Sequence, residues 1–214
     1  MVTDLLIKFQ SGKPLLPVDQ FNFDTNGIRG NVPCLPLRQV LLLPRSTLER
    51  FSLKAGDLKE NVVVDDDYLH KITSGAVIRV GESRIRLTFH CEPCKVISDK
   101  VNLRQIAHQR GVLGCFLNQG CIRSGDSVSI EGQLFEPIPY ELADRVRWYL
   151  DKKEKPVDSL QLLHDIGLSK SYARAIPAWL KKLPKVYTDL VVFRSRQAIT
   201  MQLALDMQPL SGES

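Results

Sequence analysis

Apolar and polar residues alternate most cleanly over Ala76–His90. Val77, Ile78 and Val80 are followed, across Gly81-Glu82, by Ile85, Leu87 and Phe89. Period-two alternation on both sides of a turn signal predicts a β-hairpin. Leu5–Phe9 and Leu15–Val18 flank Ser11-Gly12-Lys13 and predict a second one. Arg38–Leu43, Val62–Val64 and Ser127–Ile130 are further runs of strand length. Ser46-Thr47-Leu48-Glu49 has capping-box spacing, which predicts a short helix from Ser46 that ends before Gly56. Asn102–Gln109 predicts another helix, stopped by Gly111. Short strands separated by turns predict a mainly β, barrel-like domain over residues 1–135.

The pattern changes at Phe135-Glu136-Pro137-Ile138-Pro139, where two prolines mark a boundary. Beyond it Leu142, Val146, Tyr149 and Leu150 recur at helical spacing, and Leu160, Leu163 and Ile166 stop at Gly167. Tyr172, Ile176, Trp179, Leu180 and Leu183 make one further amphipathic stripe, in which Pro177 predicts a later helix start or a kink. Asp189–Phe193 and Ala198–Ala204 then read as strands, and Pro209–Ser214 as a frayed tail. Helices followed by a hairpin predict a small winged-helix-like domain over residues 139–208.

Of the 214 residues, 43% are hydrophobic and 25% charged, the balance of a globular protein, which excludes wholesale disorder. No apolar run approaches the ~20 residues that span a bilayer, and Asp4 interrupts the N-terminus as a secretory signal. The expectation is a cytoplasmic protein with no membrane partner. Five cysteines, an odd number, then read as thiols or ligands rather than a disulfide framework. The net charge of +5 permits a polyanionic partner without requiring one.

Candidate chemistry concentrates in His90-Cys91-Glu92-Pro93-Cys94-Lys95, directly after the predicted hairpin. A thiol at a strand end can open to a ligand. Lys95 beside Cys94, with Arg84, Arg86 and Arg110 as candidates to come near, would favour the thiolate that attacks electrophiles or binds a soft metal. Gly111 and Gly114 would let backbone approach a ligand, and the amides of a Gly111–Gly114 turn with Arg110 would hold an anionic group. Glu60 and Asn61 either shape the same pocket or form a turn before a strand. Cys91 reads as a small buried hydrophobe. A zinc set of Cys91, Cys94, Cys115 and Cys121 is off the usual spacing. His70, His90, His108 and His164 form no ligand or triad spacing.

The ordered set Asn26-Gly27-Ile28-Arg29-Gly30-Asn31, Arg38–Leu43, Gly56–Asn61, Val80-Gly81, Pro93-Cys94-Lys95, Arg110-Gly111 with Gly114, and Gly120–Asp126 resembles the MOSC domain. That family is related to the C-terminal domain of molybdenum-cofactor sulfurase. The resemblance covers roughly residues 25–131. It implies a β-barrel-like fold and one reactive cysteine, which maps onto Cys94. In related proteins that cysteine carries persulfide sulfur or coordinates the molybdenum of a pterin cofactor, and some members reduce N-hydroxylated compounds. The family usually has Gly-Glu-Asn where this chain has Lys59-Glu60-Asn61, and Gly-Asp where it has Gly30-Asn31.

Gly167–Ile176 resembles the helix-turn-helix of alkylguanine-DNA alkyltransferases, with Arg174 as the arginine that enters the DNA. A gap-free register puts Asp189 where that family has its acceptor cysteine. A carboxylate cannot replace that thiolate, so alkyl transfer is excluded. Lys170, Arg174, Lys181 and Lys182 would form a basic edge for DNA phosphates. The two expectations are thus molybdenum-cofactor or sulfur-carrier chemistry at Cys94 and, alternatively, a non-enzymatic module that docks on DNA. No flavin, iron–sulfur or nicotinamide motif is present, so a redox role needs a separate electron-donor protein, and a sulfur-carrier role a sulfur donor.

Overall fold

The computed structural model describes residues 1–193; the expected strand Ala198–Ala204 and the tail Pro209–Ser214 lie outside the described residues. The first part contains β1 (Val2–Ile7), β2 (Leu16–Val18), β3 (Gln20–Asp24), β4 (Gly27–Ile28), β5 (Val40–Pro44) and α1 (Arg45–Arg50). Then come β6 (Val62–Val64), β7 (Ala76–Val80), β8 (Ser83–His90), β9 (Val112–Phe116), β10 (Gly120–Arg123) and β11 (Val128–Gln133). Eight strands form a curled mixed sheet in the order β11-β7-β8-β9-β5-β6-β1-β2. Only β5 and β6 pair in parallel within it. A three-stranded sheet, β10-β3-β4, completes a half-barrel.

Residues Val40 to Leu43 are apolar at every position because β5 is covered on both faces. Val40 and Leu42 enter the main core with Phe23, Ile78, Ile85 and Leu87. Leu43 points the other way, into a cluster with Leu48, Leu58, Ile97 and Ile106. Leu41 joins a third cluster with Phe89, Cys91, Leu113 and Ile138. Phe89 reaches that cluster because the β8–β9 register shifts between Leu87 and His90. Such an irregularity turns the following side chains to the opposite face. It also sets the direction in which the chain leaves β8.

The helical part contains α2 (Leu142–Leu150), β12 (Val157–Asp158), α3 (Ser159–Asp165), α4 (Ile176–Leu180), α5 (Val186–Asp189) and β13 (Val191–Val192). Its own core gathers Val146, Leu150, Leu162, Leu163, Ile166, Ile176 and Leu180. Trp148 and Tyr140 also pack against the Phe89–Cys91 cluster, so the two parts share a packed seam. Among the described residues no helix is long and apolar enough to cross a membrane.

Three expectations give way to local physics, and one stripe breaks where Pro177 predicts it. α1 starts at Arg45, after Pro44, with no side-chain cap; Thr47 is buried and its hydroxyl meets His70 instead. Residues 102–109 are turns rather than a helix. The Asn102 side chain takes the Arg104 and Gln105 amides, a local bond that competes with helix. The stripe Tyr172–Leu183 is not one helix: Lys170–Ala175 is a 3₁₀ segment, and Pro177 sits in the first turn of α4. Proline has no N–H for an interior helical bond, so α4 starts beside it. Finally, β13 pairs in parallel with β12. The second strand of the expected wing lies outside the described residues.

Lys59 takes φ 68°, the left-handed conformation that glycine adopts without strain. It stands where the family pattern has glycine. Lys59→Gly should therefore raise stability, by on the order of 1 kcal/mol, by relieving the Cβ clash. Urea unfolding midpoints of the two proteins check this.

Candidate functional site

The chain leaves β8 at His90 and runs through Cys91, Glu92 and Pro93 to Cys94, which starts a 3₁₀ turn over Lys95–Ile97. The Cys91 amide donates to the Gly111 carbonyl, which ties this loop to the start of β9. Cys94 is partly exposed, and Cys91 is buried. Lys95 is exposed beside them. The decisive contact comes from Arg110. Its Nη1 lies 3.1 Å from Cys94 Sγ and also donates to the Glu92 carbonyl. Its Nη2 reaches the Leu58 carbonyl at 3.5 Å. Arg110 is itself only 5% exposed, so its charge acts on the sulfur with little water between.

This geometry gives the two cysteines different surroundings. Cys91 belongs to the apolar seam. Burial pushes its thiol up, against the opposing pull of Arg110 and then Arg38. It is a neutral core side chain. Burial likewise pushes up the thiols of Cys34 and Cys115. Cys94 is the partly exposed thiol that a guanidinium touches directly.

Both glycines serve the protein's own packing. Gly111, at φ 95°, lies against Leu42: a Cβ there would stand 2.4 Å from the Leu42 carbonyl oxygen. Gly114 lies inside β9, where a Cβ would meet Ile85 Cγ2 at 2.5 Å. The expected Gly111–Gly114 turn is therefore a strand pressed between β5 and β8. Arg110 faces Cys94, and its Nη atoms are engaged by protein groups.

Glu60 is fully buried; its Oε1 accepts the Gly56 amide at 2.6 Å, and its Oε2 has no partner. Asn61 stitches strands: its Oδ1 accepts the Leu41 amide and its Nδ2 donates to the Leu6 carbonyl, each at 3.2 Å. Lys170, Arg174, Lys181 and Lys182 are all exposed. Lys182 lines a cleft of about 380 Å³ with Glu141, Asp144 and Trp179, so carboxylates share its surroundings.

Two further groupings are brought together by the fold. His70, His90, His108 and Tyr140 come from four separate segments. The His90 ring centroid lies 6.0 Å from that of His70 and 5.9 Å from that of His108, and His108 and Tyr140 stand 5.0 Å apart. Burial, with His90 nearby, pulls His70 down to about 4. Among the described residues no three His, Cys, Asp or Glu side chains are placed to hold a metal ion. The four-cysteine zinc set is thus not assembled. The second grouping is Arg38, Glu92 and Arg145. One carboxylate meets Arg38 Nη1 at 3.2 Å and Arg145 Nη2 at 3.4 Å. Arg145 carried a signal that the sequence reading did not use: it is charged, yet sits on the apolar stripe between Leu142 and Tyr149.

Set against known families, residues 36–129 match the MOSC domain. The matched stretch, which holds β5, β8, Cys94 and Arg110, is thus similar to a MOSC domain over somewhat less than half of the chain. Solved structures share the fold. YiiM from Escherichia coli is 17% identical with a TM-score of 0.53, over 85% of this chain and 94% of that one. YuaD from Bacillus subtilis is 16% identical with a TM-score of 0.50, over 60% of this chain and 94% of that one. A crystal structure titled only as a hypothetical protein is 20% identical with a TM-score of 0.52, over 85% and 90%. No curated protein matches the chain.

Burial pushes the Glu60 carboxyl up from 4.5 to about 7, opposed first by the Gly56 amide. The folded protein thus holds this proton to higher pH than the unfolded chain does. Stability contributed by neutral Glu60 is full below about 4.5 and is lost as pH rises through about 7. Glu60→Gln stays neutral and should gain on the wild type over that window, by on the order of 2–3 kcal/mol. Urea unfolding of both proteins at pH 4.5, 6 and 8 checks this; a constant difference would place Glu60 in a more solvated setting.

Proposed function

We propose that this protein works through Cys94, as a carrier of sulfur on that thiol or as the protein ligand of a molybdenum–pterin cofactor. One observation carries the reading: a buried guanidinium lies 3.1 Å from the only thiol in the 91–94 loop that is partly open to solvent. Positive charge at that distance stabilises negative charge on sulfur, and the anionic sulfur is the nucleophile and the soft-metal ligand. The MOSC domain, a family associated with that cofactor and with sulfur transfer, supports the same reading.

The residues fit the metal end of such a group. Cys94 would supply the thiolate, and Arg110 would hold its charge and orientation. The cofactor, when bound, would supply the chemistry that reduces N-hydroxylated compounds in related proteins. Because the Nη atoms of Arg110 are engaged by Glu92, Leu58 and Cys94, its part is played at the sulfur rather than at an anionic tail. Electrons or sulfur would come from a separate donor protein.

Iodoacetamide alkylation across pH, followed by peptide mapping, tests the thiol. Cys94 should react on the order of tenfold faster at neutral pH than Cys34 or Cys115. Equal rates would remove Cys94 as the special thiol. Metal and pterin analysis of the purified protein then separates the two versions. Molybdenum lost in Cys94→Ser supports ligation, and persulfide on metal-free protein supports sulfur carriage.

The exposure of Lys170, Arg174, Lys181 and Lys182 favours a second reading, docking on DNA. Four such residues release few counterions, so log affinity against log salt should have a slope of roughly −2 to −4. Lys181→Ala in the full chain should flatten it by about one unit. Absence of duplex binding at low salt would retire this reading.

A further inference from the structure

We infer that Arg145, on the helical side of the chain, is a positioning residue for Cys94 and acts through Glu92; the inference rests on the thiol reading above. Glu92 is held at two ends. Its backbone carbonyl accepts from Arg110 Nη1. Its carboxylate bridges Arg38 and Arg145. Arg145 has no freedom of its own. Its side chain is wholly buried, and its guanidinium carbon lies 3.6 Å from the Phe89 ring centroid. Its Nε donates to the Pro139 carbonyl at 2.9 Å and its Nη2 to the Tyr140 carbonyl at 2.7 Å. Arg38 adds a contact from Nη1 to the Gly167 carbonyl at 3.4 Å, beyond the end of α3.

From Glu92 to Cys94 the chain passes through one residue, Pro93. A proline ring fixes its own φ and also restricts the residue before it. A segment this short and stiff passes the position of Glu92 on to Cys94. Arg110 Nη1 then touches both ends of the segment, the Glu92 carbonyl and the Cys94 sulfur. Moving the Glu92 carboxylate would therefore move the sulfur against its guanidinium. The helical region is in this sense built into the thiol site rather than attached beside it.

The test uses the full-length protein with Arg145→Met and, separately, Glu92→Gln, alkylated with iodoacetamide across pH and read at Cys94 by peptide mapping. Both variants release the anchor, so both should slow the reaction at neutral pH, by about threefold or more. If only charge mattered, they would move oppositely: losing a cation slows a thiolate, and losing an anion speeds it. Opposite shifts, or an unchanged rate in either variant, overturn the inference. Tyr149→Phe removes a 2.6 Å hydrogen bond to Asp165 inside the helical core and should keep the wild-type rate. Equal slowing there would show general loosening and would also overturn it. Arg145→Lys keeps the charge without the planar fork and should restore only part of the rate. Should Arg145→Met fail to fold, the direction of change in Glu92→Gln still decides. The wild-type comparison of Cys94 with Cys34 and Cys115 judges the thiol reading separately.

Discussion

A guanidinium taken out of water is costly unless its donors are met and negative charge lies near. Arg110 is buried under that constraint, and much of the site follows from how it is met. Two backbone carbonyls, of Leu58 and Glu92, take its Nη atoms, while its buried Nε is left without a hydrogen-bond partner. They come from the loop before β6 and the loop after β8, so the arginine joins two segments that are distant in sequence. The Cys94 sulfur shares Nη1 with the Glu92 carbonyl. One contact thus ties the buried arginine to the loop that carries the partly exposed thiol.

Getting those loops to one place depends on the sheet. β5 is apolar on both faces and pairs with β9 on one side and β6 on the other. β9 must lie close to β5 and β8, and glycine at 111 and 114 is what lets the backbones approach. The register shift in β8 then moves Phe89 out of the main core and under Arg145. The same irregularity that ends the regular ladder thus makes the platform on which the helical region sits.

Much of the frame was legible in the sequence. The β7–β8 hairpin, β6, α2 and α3 follow periodicity and turn signals, because in them local pattern and burial agree. β9 was misread for a physical reason. Glycine marks a close backbone approach but does not say whether ligand or protein is approaching. At Gly111 and Gly114 it is the protein. Pro177 announced the break before α4, whereas the 102–109 helix failed because Asn102 offers its amide donors a local partner. Around Cys94 the sequence offered Arg84, Arg86 and Arg110 without choosing among them; the structure puts Arg110 at 3.1 Å, while Arg84 pairs with Glu131 and Arg86 reaches the Glu136 carbonyl. The histidine–Tyr140 grouping was out of reach, since its members come from four segments with no shared spacing.

The least legible feature was the dependence of one region on the other. The two prolines at 137 and 139 mark a change of pattern, and such a boundary invites a picture of two independent modules. The polar contacts across it argue otherwise. A buried arginine paired with one carboxylate and two carbonyls is a poor stabiliser relative to apolar packing, because both charges give up water. What such a pair does supply is a single geometry, since it is satisfied in one arrangement and penalised in others. Arg145 has an unpartnered Nη1 even in the folded protein, so stabilisation alone does not account for its burial. Its other donors are aimed at Pro139, Tyr140 and Glu92, which are the linker and the thiol loop. The contact is placed where fixing a geometry matters most, two residues from the sulfur.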